Sequence, residues 1–346
     1  MMLPVHLLSG EEVAVVPLEE VVSDDFCTVR HLKRYLCCAH GLPPRFQQRI
    51  LHDGAVLDDE TCCFRLASPF SVQLILLPFV EATPAQIDHF VEAARKGESS
   101  EVERHLLLPH DPDLIPQRRQ ARALYQASCD GHAGVVSLLL EAMANPDAPY
   151  QHLGNSRTPL LAACEKGHKE VVRLLLDRGA DHEAACWDFG TPLTAASFEG
   201  HLEVVSLLLD AGVDKDAVDP RGFTALFVAS VAGEVKVVKA LLAAGAHQNL
   251  VHPDKGAFDD SLFAESTTAM IVASALGHLE VVRLLLEARA AVDTASSSGH
   301  TAVYEASRRG HGKVVRLLLE AGAEERLFKP PWLELTREPV GFHRVT

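Results

Sequence analysis

Cysteine and histidine are the residues of this chain best suited to metal, redox or acid–base chemistry, and their spacing decides whether they do any. The eight cysteines are Cys27, Cys37, Cys38, Cys62, Cys63, Cys129, Cys164 and Cys186. None belongs to a C-x-x-C pair and two pairs are directly adjacent, which suits neither a zinc framework nor a disulfide scaffold. They are expected to be buried, reduced thiols of an intracellular protein, cytoplasmic or nuclear. Five histidines, His132, His168, His201, His278 and His311, each follow a glycine in the same short phrase. A histidine that recurs with a structural glycine belongs to a joint rather than to a catalytic centre. No H-E-x-x-H, G-x-S-x-G, G-x-x-x-x-G-K-[ST] or glycine-rich dinucleotide loop occurs. The residues predict no catalysis, no metal and no cofactor.

The bulk properties narrow the remaining classes. With 346 residues, 47% of them hydrophobic, the chain can bury a core and is long enough for two or more domains. A net charge of -15 without a Lys/Arg run argues against a nucleic-acid surface. The start "MMLPVHLLSGEEVAV" meets acids early and lacks a basic leader, so no signal peptide is expected, and no apolar run is long enough to span a membrane.

The elements that carry the Gly-His phrase repeat. Glycines 131, 167, 200, 233, 277 and 310 precede V-V-x-L-L-L in steps of 36, 33, 33, 44 and 33 residues, and Gly97 opens a weaker copy. A period near 33 is the mark of a stacked array. In "GTPLTAASFEGHLEVVSLLLDAGVDKDA" (190–217), Thr191 reads as a helix cap, Pro192 as a first-turn residue and Gly200 as a stop. Val204, Val205, Leu207, Leu208 and Leu209 then form the apolar face of a second helix, which Gly212 closes. Two such helices cannot bury their apolar faces alone, but stacked copies can. Thr224, Thr268 and Thr301 lack the following proline, which predicts slightly weaker helix starts. Met143 and Arg289 stand where a left-handed glycine is expected, at a cost of about 1 kcal/mol each.

The phrases T-P-L-x-x-A, G-H-x-E-V-V-x-L-L-L and G-A-D, as in residues 158–181 and 191–214, resemble ankyrin repeats. The resemblance implies an all-α solenoid of about seven repeats over 87–325, with fingers and first helices lining a concave protein-binding face. Candidate contacts on that face are Trp187, Asp188, Phe198, Glu199, Arg221, Phe223, Leu276, His300, Arg308 and Arg309. The long finger at 250–266 is either a tolerated insertion or a partner-contacting loop carrying Phe258 and Phe263.

Residues 1–80 do not repeat. Two alternating segments flank Ser9-Gly10 as a hairpin. Thr28 caps a helix with Val29, Leu32, Leu36 and Ala39 on one face and Gly41 as its stop. Two short strands flank an Asp53-Gly54 turn, and "SVQLILL" is a final strand with Val72, Leu74 and Leu76 on one side. This order, together with "GLPPRFQQRILHDGAVLDDETC" (41–62), resembles ubiquitin and implies an α+β β-grasp domain. By that resemblance Leu8, Leu51 and Ile75 match the hydrophobic patch that ubiquitin presents to receptors, with Gln73 in place of its histidine. Leu76 is followed by "LPFV", not a free diglycine, so the domain is a built-in module that is not conjugated. Lys33 is its only lysine and Ala55 occupies a chain-forming lysine position, which argues against linkage chains. Pro4 lies in a strand interior and predicts a distorted first strand.

The expected organisation is therefore a ubiquitin-like domain (1–80), a linker (81–86), ankyrin repeats (87–325) and a tail (326–346). The tail, with Trp332 and Leu333, is a cap over the last repeat or a docking motif. The expected function is a non-catalytic adaptor, its array binding a protein partner and its patch docking to ubiquitin-receptor or proteasome-type proteins. The alternative is a single-partner scaffold in which the N-terminal domain is only a structural cap. No nucleic acid or membrane is an expected partner.

Overall fold

The structure, a computed structural model, describes residues 2–17, 28–63, 71–108, 110–114, 122–152, 155–252 and 267–324. Cys27, Phe258 and Phe263 of the long finger, and the tail with Trp332 and Leu333, lie outside the described residues. The chain divides into two compact units, residues 1–162 with 174–180, and 163–173 with 181–346.

The first unit opens with a five-stranded sheet. Strands β1 (Met2–Leu7) and β2 (Glu12–Pro17) form the hairpin, helix α1 (Val29–His40) follows, and a 3-10 turn (Arg45–Gln47) leads into β3 (Gln48–His52), β4 (Ala55–Val56) and β5 (Val72–Leu76). The order is β2-β1-β5-β3-β4, with β1 and β5 parallel and the other pairs antiparallel. One helix packs across this sheet, a small mixed arrangement compatible with a β-grasp. Leu3, Val5, Ala14 and Val16 of the hairpin, Val29, Leu32 and Leu36 of α1, and Ile50, Cys63, Val72 and Leu74 make its core. The His31 ring accepts the Thr28 N–H at 3.3 Å, tying the start of α1, and Gly41 ends it in the left-handed region. Asp53 and Gly54 both take positive φ, as a two-residue hairpin with right-handed twist requires.

β1 is irregular next to Pro4: Pro4 pairs with Val15 of β2, the parallel ladder to β5 begins at Val5, and a register shift falls between Val5 and His6. Leu76 does not join Val72 and Leu74 in the core but is half-exposed, because β5 ends there.

Helical hairpins follow. In the first unit these are α2 (Pro84–Lys96) with α3 (Ser99–Leu106), and α4 (Ala123–Cys129) with α5 (Ala133–Glu141). A short hairpin, β6 (Tyr150–His152) and β7 (Asn155–Arg157), precedes α6 (Pro159–Lys166) and α7 (Lys169–Asp177), whose residues the two units share. The second unit continues with α8 (Pro192–Phe198) and α9 (Leu202–Asp210), α10 (Ala225–Ala232) and α11 (Val235–Ala243), α12 (Ala269–Leu276) and α13 (Leu279–Glu287), and α14 (Ala302–Arg308) and α15 (Gly312–Glu320). In α8, α10 and α12 the first helix of the pair is small and apolar nearly all round; in α12, Ala269 to Ala275 are all buried. The second is amphipathic. In α9 only Val204, Val205 and Leu208 are buried, and Leu207 and Leu209 are half-buried flanks of that face.

Where proline is missing, the threonine cap supplies the helix start. The hydroxyls of Thr224, Thr268 and Thr301 accept N–H groups of Phe227, Ile271 and Tyr304 at 3.3, 3.4 and 3.4 Å, much as Thr191 accepts that of Thr194 at 3.2 Å. Met143 and Arg289 take φ of 65° and 61°, so the left-handed strain expected of these two positions is present.

The recurring histidines make the joints between neighbours. His132, His201, His278 and His311 each donate Nε2–H to a carbonyl of an earlier repeat, those of Arg95, Glu165, Val231 and Ala275, at 2.9 to 3.0 Å. Each ring lies against the glycine two residues beyond that carbonyl. A Cβ on Gly97, Gly167, Gly233 or Gly277 would fall 2.5 to 2.7 Å from a ring atom. At Gly200 the carboxylate of Glu234 takes the place of the ring.

His252, His105 and His110 are buried histidines outside the joints. His252 packs 4.2 Å from the Phe227 ring centroid and bonds the Gly222 carbonyl at 3.0 Å. Burial pulls its pKa below the ordinary value, against the raising effect of that hydrogen bond. The unfolded chain then takes up a proton near pH 6.5 that the folded chain refuses. Stability contributed by His252 is therefore complete above about pH 6.5 and is lost as pH falls toward its depressed folded value. Urea midpoints are expected to drop between pH 7.5 and 5.5, and to drop less in His252→Gln.

Among the described residues the thiols are mixed rather than uniformly buried. Cys63, Cys164 and Cys186 are buried, Cys37, Cys62 and Cys129 are intermediate, and Cys38 is exposed at the end of α1. No helix among them is long and apolar enough to cross a membrane.

Candidate protein-interaction surfaces

Alternation along β3 and β5 sorts the first candidate surface. Ile50 lies opposite Leu74 on the core face, whereas Arg49 lies opposite Ile75, and Leu51 opposite Gln73, on the other. Leu51 and Ile75 thus become diagonal neighbours on the outward face, both half-buried. Leu8 sits in the turn leaving β1 and is 61% exposed.

A second feature of this unit went unread in the sequence. The Arg45 side chain is fully buried in the 3-10 turn and is ringed by three carboxylates. Its Nη1 donates to Asp59 at 2.7 Å and its Nη2 to Glu103 of α3 at 2.8 Å, while Nε lies 2.5 Å from Glu141 at the end of α5 without being aimed at it. Arg34 grips the same Glu141 with two bonds, Arg30 lies 3.4 Å from Glu103, and Lys33 bonds Asp59 at 2.5 Å. Arg49 donates to the Leu107 carbonyl at 2.6 Å. Burial pushes the Asp59 and Glu141 carboxyls up, but their basic partners outweigh it and hold both below the ordinary range. Burial pulls the Lys33 ammonium down. The polar contacts fixing the sheet against the first two hairpins thus come from α1, from the 3-10 turn and from Arg49 of β3, the last on the same outward face as Leu51 and Ile75.

The candidate array contacts all belong to the second unit. Trp187 and Asp188 are exposed at a finger tip, and Phe198 and Glu199 are exposed at the end of α8. Arg221 is half-buried, doubly bonded to the buried Asp219 and reaching the Asp188 carbonyl at 3.2 Å, so it braces one finger against the next. Arg308 is exposed. His300 stacks on Tyr304 and, with Arg308 and Arg309, surrounds the buried Glu305.

Two residues do not belong on that surface. Phe223 is 2% exposed and stacks on Phe227 at 4.9 Å; Leu276 packs half-buried on the same cluster with Val228 and Val272. The sequence carried the sign. Phe223 directly precedes the capping Thr224 and meets Val228 four residues into the helix, the pattern of a hydrophobic staple.

Comparison with known proteins agrees with the helical part of this description. The ankyrin-repeat family pattern matches three times, at residues 90–186, 184–252 and 248–328. No curated protein matches the chain. Of the 587 solved chains that match, one is the human ASB11 ankyrin repeat domain, with TM-score 0.57 and 25% identity, covering 70% of this chain and 98% of that one. So many matches define a scaffold without choosing a partner for it.

Proposed function

We propose, from the premise that this chain belongs to the ankyrin-repeat family, that it is a non-catalytic adaptor. Its repeats hold a protein partner, and its N-terminal sheet is a ubiquitin-like module that docks a ubiquitin-receptor or proteasome-type protein through Leu8, Leu51 and Ile75. One observation carries the array half of this reading: Trp187 and Phe198 stay 52% and 42% exposed on finger and helix ends that are otherwise tightly braced. Large aromatics beside charged groups on rigid supports are what binding hot spots are made of. With Asp188, Glu199, Arg221, His300, Arg308 and Arg309 they form the proposed face.

Affinity capture with the intact chain tests both halves. Trp187→Ala with Phe198→Ala is expected to weaken one captured protein at least about tenfold, roughly 1.4 kcal/mol. Leu8→Ala with Ile75→Ala is expected to release a different one. An unchanged profile in the second variant removes the receptor half and leaves the single-partner scaffold. That second reading is favoured by the buried Arg45 cluster, which suits a sheet that caps the first repeats.

A further inference from the structure

Helices α2 and α3 bring together three side chains that the adaptor reading does not use. His89 projects from α2, and Glu101 and His105, four residues apart, share one face of α3. One ligand atom from each lies within 4.8 Å of the other two. His89 Nδ1 and His105 Nε2 are 2.9 Å apart and share a proton. His105 is 8% exposed, and its second nitrogen, Nδ1, is buried without a hydrogen-bond partner. Nε2 is the nitrogen that faces His89, so this Nδ1 lies on the opposite edge of the ring, outside the cluster. Another buried imidazole, His110, has its ring 6.1 Å from that of His105. Glu101 pairs with Arg104, whose side chain is 66% exposed and free to swing into solvent.

We propose that His89, Glu101 and His105 form a binding site for a divalent first-row transition metal of the zinc class, pinning α2 to α3 in the first hairpin. Two imidazoles and a carboxylate are a recognised three-ligand set for Zn²⁺, with a fourth tetrahedral position left to water. Bonds of about 2.0–2.2 Å set ligand atoms roughly 3.3 Å apart, which the present positions reach by small side-chain rotations. On binding, the proton shared by the two rings leaves and both nitrogens turn their lone pairs to the metal. The oxygen-loving cations Mg²⁺ and Ca²⁺ are poorly matched by two imidazoles. The sequence concealed this set because its spacing, His89 then Glu101-x-x-x-His105, follows no compact metal motif and needs the helical hairpin to close it.

The test uses the full chain, stripped with a chelator and titrated calorimetrically with Zn²⁺ alone. Expected are one Zn²⁺ per chain at micromolar affinity or tighter, a raised melting temperature, and four-coordinate visible bands when Co²⁺ is substituted. His89 is exposed and Glu101 half-buried, so His89→Gln and Glu101→Gln keep the fold and are each expected to weaken binding at least about tenfold. His247→Gln, at a histidine in the other unit, is expected to change nothing. Failure of the intact chain to bind Zn²⁺, or equal binding by the His89 and Glu101 variants, overturns the site. Partner capture by Trp187 and Phe198 is independent of this result, so the two readings fail separately.

Discussion

Arg45→Met is expected to cost the first unit about 3 kcal/mol. The methionine fills much of the same volume, so the loss is chiefly electrostatic. Asp59, Glu103 and Glu141 would face the vacated position with one guanidinium fewer, and Arg45 is completely buried among them. Removing one partner from a buried ionic cluster typically costs 3–5 kcal/mol, because charges already stripped of water lose their compensation. The lower end applies here. Each acid keeps a second cation: Lys33 on Asp59, Arg30 on Glu103 and Arg34 on Glu141. Arg34→Met is the control. That side chain is 45% exposed, and its loss is expected to cost about 1 kcal/mol or less. Urea denaturation of the full chain measures both, and equal, sub-kilocalorie effects would refute the clamp.

The second large effect is expected at the histidine joints. Gly277 has φ of +77°, and a Cβ there would meet the His311 ring at 2.6 Å. Gly277→Ala is expected to cost about 2–4 kcal/mol, from left-handed strain and from displacing the ring from its place against the glycine. Gly310 has nearly the same conformation, φ +80°, but nothing within 4 Å of its would-be Cβ. Gly310→Ala should cost only the conformational part, about 1 kcal/mol. Combining Gly277→Ala with His311→Ala should recover part of the difference, read as a non-zero coupling in a double-mutant cycle. Equal losses at Gly277 and Gly310 would mean that the ring contact carries no energy.

How much of this the residues reveal in advance depends on the range of the interaction. Helix starts at Thr191 and Thr224, stops at Gly200 and Gly233, and the Asp53-Gly54 turn are set by neighbours within four residues, and all are legible as written. The Gly-His pairing was legible as a joint, although not that the ring serves a glycine one repeat earlier. Arg45 was not legible. A lone arginine after two prolines looks like a solvated surface residue, and the partner that buries it, Glu103, lies 58 residues away. Phe223 was misplaced for a related reason. Its position in a polar, turn-rich stretch suggested exposure, but Asp219 accepts the Arg221 and Phe223 N–H groups at 2.9 Å and folds the turn so that the ring enters the core. The His89, Glu101 and His105 group falls between these cases, half helical periodicity and half tertiary packing.

The joints have one more consequence. The imidazole belongs to one repeat and the bare glycine that receives it to an earlier one, so the seam is specified by two residues and a carbonyl. Any unit whose second helix opens with histidine is able to follow any unit whose first helix ends in glycine. Such a seam lets whole units be added, removed or reordered while the fingertips differ, and at Gly200 the Glu234 carboxylate fills the place that the imidazole takes at the other joints.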